Sequence, residues 1–586
     1  MAQTIPSQNH LRLLSSKAGF VAPSHPEGFK DWVGQNKRII EYEKTGDWRG
    51  LIRYAGETKE DFNDVNWATM FSKLGRMKRE AKSIKSDAAF IRLREDFERI
   101  LEEDGMGWLG MQAIGNILHA YGVMKIKSEV VYRSLDDDAK RIVEEGKPRN
   151  ISNCIYALAR LGYRGDNFVN AVGTQNVAKF IVSEGLPQEI SNTVWSLAKL
   201  TDEAPHFAGA IDRKSVAEYM VKEGTPQNIS NAIWAMAILN HQMPNLAQSI
   251  DSQKVVRKLA KGQPQDMVNT LWSMTTLGHR VTRLARAMER VDVVEKLSKV
   301  GNMQNFSNSI WAMSKLRYEC PRLVKALSER AAELMGTGTS DAIANLAWGL
   351  ANLGYFDERV FQQIAKHAKI VKNGEAPTLT MTLWGFGISG LIAKNERAVR
   401  MLWEDIMSRP VWELQSENWR QLEIVRLFAK SEGIHLEVTE DGSEEIRKEL
   451  MEKASMSVIQ GSSQFEIEVA KDLEAFRFKG FEREVSPFSD GEGGNLLKID
   501  IAWGNEMVGL ELDGPTHFLK PIKGTEDTEL PRDGPTKAKK RLLEALGWKV
   551  LRMSHWKKIE YDKLEDEEKM GIWANELGKS GVAPQL

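Results

Sequence analysis

Only two cysteines, Cys154 and Cys320, occur in the chain, so neither a disulfide framework nor a cysteine-rich zinc site is available to it. No run of apolar residues approaches the roughly 18 needed for a membrane-spanning helix. Net charge is almost absent as well: 80 Lys and Arg against 81 Asp and Glu leave −1. That excludes a uniformly basic nucleic-acid binder but not a local basic face, because a total hides where charges sit. The glycines at 491–494 do not form a phosphate loop, and no HRD or DFG constellation occurs, which argues against a kinase. Acids are missing from the first 26 residues, where Arg12, Lys17 and four serines stand instead. That composition fits an organelle-targeting segment over 1–30 or, as the plain alternative, a disordered terminus. No apolar stretch long enough for a secretory signal accompanies it.

What is present in excess is tryptophan, 17 against 10 tyrosines in 586 residues. A chain of this length calls for several domains or a repeat array. Trp195, Trp234, Trp272, Trp311, Trp348 and Trp384 follow one another at 39, 38, 39, 37 and 36 residues, and Tyr156 and His119 continue the series toward the N-terminus. One phrase recurs around them: Asn192-Thr-Val-Trp195, Asn231-Ala-Ile-Trp234, Asn269-Thr-Leu-Trp272, Asn308-Ser-Ile-Trp311 and Asn345-Leu-Ala-Trp348. Trp67 is a candidate for a still earlier copy. A period in the high thirties predicts an α-solenoid of helix-pair repeats of about 38 residues. Pro187, Pro226 and Pro264 open a helix where a missing N–H costs nothing. Ile229, Ile233, Met236 and Ala237 make its buried face. Gly162, Gly278 and Gly354 stop it, and a second helix such as 215–223 completes the pair.

A residue that reads bases has to differ between repeats, so the recurrent Asn and Trp are expected to be scaffold, with Trp as packing knob. The informative positions lie three and four residues before each Asn: Asn150, Glu189, Asn228, Asp266 and Asn305, and Arg149, Gln188, Gln227, Gln265 and Gln304. Modular RNA readers use such a polar pair, one per helical repeat. Helix N-capping calls for the same residue types, and both readings stay open at this stage. Over 110–395 the units resemble the octotricopeptide-like and related helical repeats of organellar RNA-binding proteins, in particular copies reading Pro-Gln-x-Ile-Ser-Asn-x-x-Trp-Ala. That resemblance implies single-stranded RNA as partner.

Residues 31–110 are expected to form a helical N-terminal region and 396–460 a helical connector, with a boundary at Gly461-Ser-Ser. The texture of 461–586 is mixed α/β. Ile499, Ile501 and Trp503 alternate with Asp500 and Ala502 in one strand, and Val508, Leu510 and Leu512 with Gly509, Glu511 and Asp513 in the next. A two-residue turn at Gly504-Asn505 would set Asp500 opposite Gly509, with Glu511 diagonal to it and both carboxylates within reach of one ion. Residues 531–558 hold nine basic side chains against Asp533 and Glu544, a local charge of +7. With Trp548, His555 and Trp556 interleaved, this stretch suits a phosphate backbone and stacked bases; a solvated basic helix is the bland alternative. Lys537, Lys540, Arg541, Lys549, Arg552 and Trp556 are its candidate RNA-binding residues.

The segments Val508-Gly-Leu-Glu511-Leu-Asp513-Gly-Pro-Thr-His517-Phe, Gly534-Pro-Thr-Lys537-Ala-Lys-Lys540-Arg541 and His555-Trp556 resemble the RAP domain over about 500–570. This RNA-binding module is abundant in apicomplexans and occurs in algae, plants and the animal family named after the Fas-activated serine/threonine kinase. The resemblance implies a restriction-endonuclease-like fold, related to PD-(D/E)xK and very-short-patch-repair nucleases. It further implies action on RNA processing, stability, ribosomal RNA maturation or translation in mitochondria or, alternatively, plastids, within organellar ribonucleoprotein or ribosome-assembly complexes. By the nuclease pattern, Asp500 and Glu511 would hold Mg²⁺ or Mn²⁺, His517 would assist proton transfer, and Asp513 stands where the usual lysine would be. Non-catalytic RNA binding is favoured on that departure. The alternatives are a metal-dependent endoribonuclease with the solenoid as targeting arm, in which Asp500, Glu511, Asp513 and His517 would be catalytic, and a HEAT- or armadillo-like protein-binding scaffold.

Overall fold

The computed structural model describes residues 31–437, 463–488, 496–522 and 530–584, together with 445, 447, 449, 450 and 453. The targeting segment expected at 1–30, the Gly461-Ser462 boundary and the Gly-rich run at 490–495 lie outside the described residues. Two compact units make up the chain, Met1–Ala171 and Val172–Leu586.

In the first unit, helices Asp64–Arg76, Met111–Met124 and Pro148–Leu161 lie side by side. Trp67 is 1% exposed and packs on Phe71 and Phe97, with Phe71 in turn against Tyr121. Trp67 therefore belongs to an aromatic core rather than to the half-exposed positions that Trp195, Trp234, Trp272, Trp311 and Trp348 take.

In the second unit, the helices that carry the recurring phrase again stack in sequence: Pro187–Leu200, Pro226–Ile238, Pro264–Thr276, Met303–Leu316, Ser340–Leu353 and Ala376–Ser389, followed by Ser416–Ser431. The prolines stand at the first helical position, and Ile229, Ile233, Met236 and Ala237 are all buried. Gly278 and Gly354 end their helices in the left-handed conformation at φ 74° and 73°, as Gly162 does at 69° in the first unit. The second half of the repeat is finer than a single helix. In several copies it is two short helices, among them Pro205–Ile211 with Lys214–Glu223, Pro244–Ile250 with Gln253–Lys261, and Thr282–Met288 with Val291–Val300. The break falls at Asp212, Asp251 and Glu289. Each of these carboxylates accepts a backbone N–H at the start of the following repeat's corresponding helix: Leu246 at 3.0 Å, Leu284 at 2.9 Å and Leu323 at 2.8 Å. An acid that ends one helix thus caps another, satisfying amides a helix start leaves unpaired.

The C-terminal part is a four-stranded sheet in the order β1 (Glu482–Val485), β2 (Ile499–Trp503), β3 (Val508–Asp513) and β4 (Lys549–Ser554). The first three are antiparallel neighbours, and β4 runs parallel to β3 after a crossover through helix Gly534–Ala545. One face of the sheet packs on Val469 and Leu473 of helix Gln464–Ala475 and on Tyr561, Trp573 and Leu577. Trp503 pairs with Val508, so the loop is four residues, Gly504–Met507, not two. The ladder is therefore displaced by two residues from the expected register. Gly509 pairs with Ala502, and the next steps carry Asp500 toward Glu511 directly. Among the described residues, no helix is long and apolar enough to cross a membrane.

Candidate nucleic-acid interface and the acidic row of the sheet

The repeat helices expose one narrow stripe. In helix Pro187–Leu200 the residues on either side of each stripe position, Ile190, Ser191, Thr193, Val194, Ser196 and Leu197, are buried. Gln188 and Lys199 are exposed, and Asn192 and Trp195 are half-buried. Positions 188, 192, 195 and 199 follow helical spacing and form a single line. The line recurs as Gln227–Asn231–Trp234, Gln265–Asn269–Trp272 and Gln304–Asn308–Trp311–Lys315. Successive rings approach one another, Trp195 to Trp234 and Trp272 to Trp311 each at 6.4 Å between centroids. Lys199 stands 4.8 Å over Trp234, and Lys315 stands 4.6 Å over Trp348. The tryptophans thus touch the next repeat while keeping part of each ring accessible, which a pure packing knob does not do.

The polar pair separates into two roles. Asn150 and Asn228, 9% and 8% exposed, face their own helix starts. Asn150 accepts the N–H of Lys147 at 2.9 Å, and Asn228 that of Thr225 at 3.0 Å, with a further donation to Ser191 Oγ of the preceding repeat. Both cap their own helices, the role that N-capping predicts for these residue types. Gln188, Gln227, Gln265 and Gln304 remain exposed on the stripe, where Gln304 donates to Asn308 at 2.7 Å.

The basic segment of the C-terminal domain is divided: Lys537, Lys540, Lys549 and Lys557 are exposed, Lys558 is buried, and Arg532, Lys539, Arg541 and Arg552 are half-buried. The Arg541 guanidinium donates to the carbonyls of Gly387 and Ile388 at 3.0 and 3.1 Å, between the rings of Phe356 and Phe428. Lys537 donates to the Gly354 carbonyl at 3.2 Å, and burial lowers the pKa of both cations. A Cβ on Gly534 would lie 1.6 Å from the Ala351 oxygen, so only glycine permits this approach. Arg317, left-handed at φ 61° where other repeats have glycine, pairs with Asp533 at 2.9 Å; its carbonyl accepts the Lys520 N–H at 2.6 Å. The domain is docked on the C-terminal ends of three successive repeat helices, where free carbonyls and the helix dipole favour cations. Lys537 and Arg541 therefore anchor the domain to the repeats. Arg552, with 8% of its side chain exposed, is spent on Asp513 at 2.5 Å and the Thr536 carbonyl. Lys540 pairs loosely with Glu544, Lys549 donates to the Ser580 carbonyl, and Trp556, 40% exposed, sits edge-on to Phe518. Lys537, Lys540, Lys549 and Trp556 are the members of the expected set left at the surface, Lys537 with its ammonium on the Gly354 carbonyl.

A row of charges crosses the opposite face of the sheet from the hydrophobic core. Register places Glu484 of β1, Asp500 of β2, Glu511 of β3 and Arg552 of β4 in line. Asp500 accepts the Leu512 N–H at 2.7 Å. Glu511, 2% exposed, takes Lys539 Nζ at 2.6 Å. Burial raises the pKa of Asp500 and Glu511, and nearby Lys539 opposes the shift in both. Asp513, at the position of the nuclease lysine, is held by Arg532 at 2.7 Å and by Arg552. His517 contacts Thr536 Oγ1 at 3.0 Å, and burial lowers its pKa. Asp500 and Glu511 are thus brought together, while Asp513 and His517 belong to the adjoining Arg532–Arg552 cluster. Lys539 was legible only as one of nine basic residues. Glu466 reads from sequence as the fourth residue of a cap box; its N–H donates to Ser463 Oγ at 3.2 Å and its carboxylate accepts the Ser463 hydroxyl at 2.9 Å. Glu484 gives no signal in sequence.

Fold and site together define a helical-repeat protein that ends in a small α/β domain with a charged row across its sheet. Residues 510–570 match the model of the RAP domain, generally an RNA-binding domain. No curated protein matches the chain.

Proposed function

We propose that the protein binds single-stranded RNA along the stripe of the repeat helices and acts in organellar RNA processing, stability or ribosomal RNA maturation. The row of half-buried rings carries this reading, each flanked on one helix by an Asn and, in four successive repeats, an exposed Gln. An indole face takes any base at about 1–3 kcal/mol per stack. Amide side chains carry both donors and acceptors for base edges, and exposed Lys and Arg suit the phosphates. The RAP domain supports RNA as the ligand class. The acid-poor, serine-bearing start of the chain supports a mitochondrial address, with the plastid as alternative. Organellar ribonucleoprotein or ribosome-assembly complexes are the partners this implies.

Crosslinking and sequencing of bound RNA from fractionated cells tests the reading, together with titration of unstructured RNA at rising salt. Affinity should fall steeply with salt, and a Trp234→Leu, Trp272→Leu variant should lose at least about tenfold. Salt-independent binding, or capture of a protein in place of RNA, would favour the armadillo-like scaffold and refute it. One observation favours a second reading, a metal-dependent endoribonuclease: Lys539 brings to Glu511, from the neighbouring helix, the ammonium that β3 lacks. RNA incubated with Mg²⁺ or Mn²⁺ should then be cut by the wild type and not by Lys539→Met. Intact RNA in both would end that reading.

A further inference from the structure

Four successive repeats carry the same line of side chains. Those beginning at Gln188, Gln227, Gln265 and Gln304 each place a Gln, an Asn and a Trp, four and then three residues apart, along the accessible stripe. The copies on either side depart from it: Arg149, Asn153 and Tyr156 come before, Asp341, Asn345 and Trp348 after. Packing accounts for the Trp, which touches the next repeat, but not for the Gln. Gln188, Gln227 and Gln265 are exposed, and among the described residues their amides meet no hydrogen-bond partner. Gln304 donates to Asn308 at 2.7 Å, which leaves the Gln304 carbonyl free to accept and the Asn308 amide free to donate. Repeats that read different bases carry different side chains. Four that match offer the same groups to the same base four times over.

The spacing suits one base per ring. Trp195 and Trp234 stand 6.4 Å apart between centroids, as do Trp272 and Trp311. Bases stacked on one another rise about 3.4 Å, so a strand that advances one base per ring is stretched to about twice that rise. Each base then meets an indole instead of its neighbour. A pair of amides that both donates and accepts matches adenine, whose edge sets the N6 donor beside the N7 acceptor. Guanine turns two acceptors, O6 and N7, to the same place and calls for Arg or Lys. Lys199 and Lys315, the cations on these lines, lie over the next ring and leave the base edges to the amides. Uracil and cytosine also pair a donor with an acceptor, but a single ring covers less of the indole, and stacking strength decides among such bases.

We propose, on the footing of the RNA reading above, that these four repeats select a run of four adenines in single-stranded RNA, with different bases to either side.

The test is fluorescence anisotropy of short, unstructured RNA oligomers titrated with the full-length protein at fixed salt. Within one mixed-pyrimidine frame, the centre holds a run of adenosines, of uridines or of cytidines. The adenosine oligomer should bind at least about tenfold more tightly than the other two. Replacing any one adenosine of the run by guanosine or cytidine should cost about fivefold or more. Gln227→Glu leaves only acceptors at one repeat, which suits the N4 amino group of cytosine, and an acid is favourable at that helix start. In this variant cytidine should cease to be penalised at one place in the run and stay penalised at the others, which a merely structural Gln would not produce. Equal affinity for the three runs overturns the adenine assignment and leaves the RNA reading standing. Binding of no oligomer at all overturns both. An adenosine preference that Gln227→Glu leaves unchanged at every place overturns the reading role of the Gln, Asn and Trp.

Discussion

Arg541→Ala should release the RAP domain from the repeats without unfolding either. The guanidinium makes two hydrogen bonds, to Gly387 and Ile388 at 3.0 and 3.1 Å, and lies 5.9 and 5.6 Å from the centroids of Phe356 and Phe428. A hydrogen bond from a charged donor is worth about 1.5–3 kcal/mol, and a partly desolvated cation–π contact adds about 1 kcal/mol. Water reaches the vacated carbonyls after truncation, so the net loss of docking should be about 3 kcal/mol, below the simple sum. Two amides report docking and little else. Lys520 N–H is bonded to the Arg317 carbonyl, and Glu319 N–H to the Lys520 carbonyl. Since 1.4 kcal/mol is a factor of ten, hydrogen exchange at both should accelerate about a hundredfold in the full-length variant. Amides of β3 that pair with β2 and β4 should not change. Arg541→Lys keeps the charge but cannot fork onto two carbonyls, and should fall between. Gly534→Ala should reproduce the effect by steric exclusion alone. Unchanged exchange at Glu319 and Lys520 would refute the docking role, and equal acceleration in β3 would show that the domain itself had unfolded.

Asn228→Ala removes a cap and should cost about 1 kcal/mol of stability in denaturant titration, with RNA affinity unchanged; Gln227→Ala should do the reverse. Glu289→Gln leaves one of two backbone N–H groups, Arg322 or Leu323, facing an amide NH₂, and should lower stability by about 1–3 kcal/mol. Burial lowers the His119 pKa, and Arg149 and Arg160 add to the shift, so the unfolded chain takes up a proton there before the folded one does. The stability tied to this residue is present above the ordinary histidine range and is lost as pH falls below it. The difference in urea midpoint between pH 7 and pH 5 should therefore shrink in His119→Phe, and an unchanged difference would show that His119 does not contribute.

The repeat was legible because its period, its proline starts and its glycine stops are local signals that the structure keeps. The α/β texture of the end was legible for the same reason, since strand alternation records which face is buried. What local signals could not resolve was direction. The run from Lys537 to Arg541 reads identically whether its charges meet water or another helix's carbonyls, and only the approach at Gly534 distinguishes the two. Asn228 and Gln227 are adjacent polar residues at a helix start, yet 100° of helical rotation sends one to the cap and the other to the stripe. The hairpin register turned on loop length: four residues, with Met507 left-handed at φ 53°, took the place of the Gly-Asn turn and brought Asp500 and Glu511 face to face. Glu484 is left-handed too, at φ 55°. A glutamate does not announce that conformation, as a glycine would, so its place beside Asp500 appears only in three dimensions.

The acids at the helix breaks bear on how such an array changes length over generations. Asp212, Asp251 and Glu289 each complete a helix one repeat further on, so three successive repeats receive the same service from their predecessors. Excising one whole period, from any point to its equivalent, joins an acid to a helix start that matches it, so every donor finds an acceptor again. A cut out of phase orphans both. Unequal recombination between copies would thus yield foldable products mainly in whole-repeat steps, and the stripe would gain or lose one tryptophan at a time.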